Sequence, residues 1–155
     1  MKFRIVLYCL FIAVIFATSA TISAEKQMPP ADAEKMWDYM IQKEPYTKWN
    51  YWPGHQGFLE GSSPHGEYVR IFVNTPAIKA VKNGEKLPEN SMIVKENYAE
   101  DKETLQSITP MYKVKGYNPK QGNWFWAKYS PQGKVQAAGK VKGCINCHKS
   151  RKDKD

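Results

Sequence analysis

The 155-residue chain is poor in metal-binding and cross-linking side chains, with three cysteines and three histidines. Cys9, Cys144 and Cys147 supply no framework of paired half-cystines, which excludes a small disulfide-stapled scaffold. The longest apolar run, Ile5 through Ala17, falls short of the ~20 residues that a membrane-spanning helix needs. Internal repeats and low-complexity tracts are also missing, which excludes a solenoid and points to one domain with a modest core. The formal net charge is +8, yet no nucleic-acid motif or aromatic-interleaved basic stripe accompanies it, so no nucleic-acid partner is expected.

What is present begins with an export pattern. Lys2 and Arg4 precede the apolar run, and small residues lead from it to Ala24. The expectation is a signal peptide over 1–24 and a periplasmic domain over 25–155; an uncleaved anchor is the alternative. Cys9 would leave with the signal. The densest basic cluster is Lys149, Arg151, Lys152 and Lys154. It reads as a solvated tail, or as a docking aid for an acidic redox partner protein, since such charge mainly raises encounter rates.

The remaining two cysteines carry the chemistry. Cys144-Ile145-Asn146-Cys147-His148 is a CxxCH pentapeptide. Two thiols at that spacing each add across one vinyl group of a single haem, and the following histidine is placed to ligate the iron. CxxC alone also serves redox enzymes and zinc sites. A thioredoxin-like use wants the pair early, between a strand and a helix, and structural zinc wants further ligands, for which only His55 and His65 remain. His148 and the export pattern favour one covalent haem c, held by Cys144, Cys147 and His148, with His148 on the metal. For His55 and His65 the ordinary role is a hydrogen-bonded loop histidine, and for Met92 and Met111 it is core filling. All four are nonetheless sixth-ligand candidates.

Hydropathy patterning predicts an α+β fold: a mainly antiparallel sheet with a few helices, and the haem motif on a short helix or turn. Ala31 to Lys43 reads as a helix started by Asp32, with Ala33, Met36, Trp37 and Met40 on one buried face. Trp49 to Phe58 reads as an irregular loop. Tyr68 to Asn74 alternates, with bulky residues on both faces, which predicts a strand covered on both sides. A short helix over Thr75 to Val81 ends at Asn83-Gly84. Further strands are expected over Ser91 to Tyr98, Thr109 to Lys115, Asn123 to Tyr129 and Lys134 to Ala138.

Glu67 to Asn74, Ile93 to Tyr98, Gly122-Asn123-Trp124 and the late CxxCH together resemble the cytochrome P-460 family, which includes the cytochromes c prime-beta. The resemblance runs from about Gly61 to His148. It implies a sheet-rich monohaem c protein, often a homodimer, with an open iron that binds nitric oxide or, in the P-460 members proper, oxidises hydroxylamine. It also implies that Lys95 stands where a strand lysine bonds the haem ring, and that Arg70 stands where an arginine holds a polar ligand. Those two are the candidate catalytic residues. The pattern departs at Ile108-Thr109-Pro110-Met111, where hydroxylamine-oxidising members carry a proton-accepting carboxylate and this chain has none. A distal pocket of Ile108, Met111 or Phe72 then favours a small neutral diatomic. A plain electron carrier with a filled sixth position is the alternative, and enzymatic activity is left open.

Overall fold

A computed structural model describes residues 27–150, so the export pattern and the end of the basic tail lie outside the described residues. Pro29-Pro30 is followed by Asp32, whose carboxylate accepts from the Lys35 N–H at 2.9 Å and starts helix α1, Ala33–Asp38. The helix widens into a π-type turn over Tyr39–Lys43. Met36 and Met40 are fully buried along this segment, as the helical spacing predicts.

Seven strands form one antiparallel sheet: β1 (Asn50–Tyr51), β2 (Leu59–Glu60), β3 (Tyr68–Val73), β4 (Met92–Tyr98), β5 (Leu105–Lys113), β6 (Trp124–Tyr129) and β7 (Val135–Gly139). Their order is β1-β3-β4-β5-β6-β7, with β2 sharing the outer edge of β3. Helix α2 (Thr75–Asn83) connects β3 to β4, capped at its start by Asn74 and stopped at Gly84, whose φ of 67° suits glycine. Helix α3 (Lys142–His148) follows β7.

The sheet is covered on both faces, which explains the bulk on both sides of β3. One face packs Phe72, Val94, Ile108, Phe125 and Tyr129 against Met36 and Met40. Tyr129 is fully buried and donates to the Ala33 carbonyl at 2.6 Å, tying β6 to α1. The other face packs Val73, Trp124 and Trp126 against Ala77 and Ile78 of α2 and, through Cys144 and Ile145, against α3. Each large side chain fully buried this way contributes roughly 1.5–3 kcal/mol.

Register decides which residues share a face. Ile71 pairs with Lys95 and Lys95 with Thr109; Val73 pairs with Ile93, Ile93 with Met111, and Met111 with Trp126. Arg70 pairs with Glu96, and Glu96 with Ile108. Because alternate residues point to opposite sides, Lys95 and Arg70 belong to different faces.

Candidate functional site

Within α3, Cys144, Cys147 and His148 occupy positions i, i+3 and i+4, which are neighbours on one side of a helix. Cys144 is half-buried and Cys147 exposed, and both thiols are free. The His148 ring lies 4.7 Å from that of Trp126 and 6.4 Å from that of His65, centre to centre. The motif is therefore seated against strand β6 of the sheet.

Between α3 and that sheet face lies a cavity of about 380 Å³. Trp52, Ile71, Leu87, Ile93, Met111 and Trp124 make its apolar walls, and Trp126 and Ile145 extend them. The polar groups at its border are His55, Lys95, Gln121, His148 and Lys149; no carboxylate is among the wall residues described.

Burial shapes the electrostatics. It pushes the pKa of the Lys95 ammonium down, and that of His148 down too, with Lys95 adding to the effect on His148. A neutral imidazole is the form that binds a metal. Burial likewise raises the Cys144 thiol. His65 is held down to about 4, by burial first and then by Lys95, against the opposing pull of its hydrogen bond to Asn97.

The sequence-predicted residues do not all converge. Lys95 is a cavity wall beside Ile93, and Met111 and His55 also line the space. Met92 is fully buried in the opposite apolar cluster, as a core residue. Phe72 and Ile108 belong to that opposite cluster as well, which corrects their expected place beside Met111. Arg70 is turned away from the cavity. Its guanidinium bonds the Tyr51 hydroxyl at 2.9 Å and lies 3.5 Å from the Glu96 carboxylate, on the Phe72 side of the sheet. The cause is parity: Arg70 and Lys95 are not cross-strand partners, whereas Ile71 and Lys95 are.

Trp52, Gln121 and Trp126 are site residues that the sequence did not single out. Alternation along β6 puts Trp124 and Trp126 on one face, and the pairing of Met111 with Trp126 shows that it is the face of Lys95.

The residues present fit a haem. Apolar walls suit the macrocycle, and two thiols and an imidazole whose charged form burial disfavours stand together on one helix. The Trp126 indole N–H is buried without a partner in the protein, an unused donor for an oxygen acceptor such as a propionate. A structural metal cluster fits less well: among the described residues no three His, Cys, Asp or Glu side chains gather as ligands. Residues 44–155 match the family model described as Cytochrome P460. Among curated proteins, none matches the chain.

Proposed function

The chain belongs to the cytochrome P460 family of haem-binding, c-type cytochromes, and on that premise we propose that it is an exported monohaem protein for small nitrogen-oxide ligands. In this reading Cys144 and Cys147 each add a thiol S–H across a haem vinyl group, sulfur to one carbon and hydrogen to the other. His148 would ligate the iron. The haem supplies a redox-active iron that binds nitric oxide or hydroxylamine.

The protein's own contribution is the cavity. Its apolar walls exclude water, and Lys95 brings one desolvated ammonium toward the ligand space. Lys95 also stands at the position where P-460 members bond a lysine to the ring, and intact mass distinguishes such a bond from a free ammonium. Hydroxylamine oxidation must deliver protons to a base. The nearest acid in sequence, Glu96, is committed to the other face, hydrogen-bonded by Tyr46 at 2.8 Å and Tyr98 at 2.9 Å. This favours binding of nitric oxide over turnover of hydroxylamine.

One observation carries the reading: the helix that bears two free thiols brings His148, whose charged form burial disfavours, to the border of an apolar cavity that includes Lys95. The test is production of the full chain with a haem c maturation system. Covalent haem is measured by intact mass, and the optical spectrum is followed with nitric oxide and with hydroxylamine plus an artificial electron acceptor. Nitric oxide should shift the spectrum stoichiometrically, with little hydroxylamine turnover. A loaded protein indifferent to nitric oxide would instead be an electron carrier. The nearness of His65 to His148 favours that second reading.

A further inference from the structure

We propose that the side of the molecule formed by α3 and β6 is a docking surface for an acidic electron-transfer protein, with Lys128, Lys142 and Lys149 as its contacts. The inference rests on the haem reading above and gives that site a partner.

The fold sorts the charge. Between Glu103 and Asp153 the chain carries ten lysines and arginines and no acid. That stretch builds β5, β6, β7 and α3, so the later strands and the helix with the thiols come from acid-free chain. Alternation puts Lys128 on the face of Trp124 and Trp126, the face that packs against α3. Its charge acts on Cys144 and, more weakly than that of Lys95, on His65. Lys142 opens α3 and Lys149 closes it; both are exposed, and Lys149 also borders the cavity. On the other side of the sheet Lys43 pairs with Asp38 and Arg70 with Glu96. Among the described residues no carboxylate pairs with Lys128, Lys142 or Lys149.

Lys142 stands against local preference. The first turn of a helix favours an acid, and α3 has none there. A cation at that end weakens the helix, so holding the fold does not account for it.

Chemistry selects the partner. Cys147 is exposed on the same helix, so the point of covalent attachment lies at this surface. Electron-transfer encounters are small and brief, steered by charge more than by buried area. A lipid surface would also call for an apolar anchor. The exposed large apolar side chains among the described residues are Phe58 and Val135, and neither is on α3 or β6. A single-stranded nucleic acid would call for open aromatic platforms, whereas Trp124 and Trp126 are buried. An acidic protein fits what remains. One electron passes between the two redox centres, one losing what the other gains, and no bond or proton moves.

The experiment uses the full, haem-loaded chain, with haem content and intact mass measured first. The reduced protein is mixed with hexacyanoferrate(III), an anion, or with tris(phenanthroline)cobalt(III), a cation, each of which takes one electron. Lys128→Gln, Lys142→Gln and Lys149→Gln combined remove charge from this face. Lys35→Gln, Lys43→Gln and Lys48→Gln combined remove the same charge elsewhere. At about 0.01 M ionic strength, where the Debye length is about 30 Å, the first variant should react roughly tenfold slower with the anion. The control should resemble wild type. Poly-L-glutamate, standing in for the acidic partner, should slow wild type and control but not the first variant. At about 1 M salt the rates should converge. Equal slowing in both combined variants, or none in the first, would overturn the inference while leaving the haem reading intact. Sedimentation of wild type with phosphatidylglycerol vesicles at about 0.15 M salt, lost in the first variant, would assign the face to a membrane and overturn it too. A chain that takes up no covalent haem would remove both readings.

Discussion

Lys95 and Glu96 are adjacent in sequence and serve opposite sides of the sheet. The Lys95 side chain borders the cavity, while the Glu96 carboxylate is buried at 4% exposure between the hydroxyls of Tyr46 and Tyr98. One residue of displacement along β4 thus separates the cation of the site from an anion of the core.

The buried acid should matter for stability and not for the haem. Glu96→Gln keeps the shape but weakens two hydroxyl bonds and the contact with Arg70, at a cost of about 1–3 kcal/mol. Arg70→Ala, at a partly exposed position, should cost about 1 kcal/mol or less. Denaturant titration measures both losses. The haem spectrum and nitric oxide binding of the two variants should match wild type; a change in Arg70→Ala would return that residue to the ligand pocket.

Lys95 should tune the iron through charge. A nearby cation favours the reduced metal, so Lys95→Met should lower the reduction potential, by tens of millivolts as an order of magnitude. Burial depresses the pKa of this ammonium. The difference between wild type and variant should therefore shrink as pH rises through that lowered value. Intact mass of the same pair reports whether wild type carries a third bond to the ring.

Gly66 is a point of close approach. A Cβ at this position would collide with the Tyr98 backbone. Gly66→Ala should lower stability by about 1–3 kcal/mol, in the range for overpacking. An unaltered melting temperature would show that the loop yields more easily than its geometry implies.

Alkali should unfold the protein earlier than its exposed tyrosines alone predict. Burial holds Tyr46 far above the ordinary tyrosine range, with Glu96 adding to the shift, and pushes Tyr112 up to about 12. Below about pH 10 these groups are protonated folded or unfolded. Above it the unfolded chain loses protons that the folded chain retains, so stability falls as pH rises. Phenolate absorbance should show a late, cooperative step that coincides with loss of secondary structure.

Much of the fold was legible because its signals are local. Asp32, Asn83-Gly84 and the alternation of β3, β4 and β6 needed only neighbouring residues, and the elements formed near the expected bounds. Strand β5 starts earlier than the expected Thr109, at Leu105, which places Pro110 in its interior. It is accommodated inside the strand: the ladder to β6 keeps register on either side, from Ile108–Tyr129 to Met111–Trp126, with no pairing at Thr109 or Pro110. The two-residue strand β1 was hidden in the aromatic loop and β2 follows directly after it, and neither was legible because their pairing with β3 is a long-range event. The site was legible where chemistry is written in contiguous residues, at Cys144 to His148. Arg70, Phe72 and Ile108 depended on strand parity across the sheet. The alternation within each strand was visible, but which face met the cavity was not.

The short helix that carries the thiols has a further consequence. It spans seven residues, and no side chain caps its start, so it has little tendency to hold its shape alone. Its order comes from contact with the tryptophan face of the sheet. A maturation enzyme would thus meet the CxxCH segment as pliable chain before docking. Once attached, the macrocycle would arrive with the helix as the last apolar piece of a half-finished interior, joining cofactor loading and completion of the fold in one event.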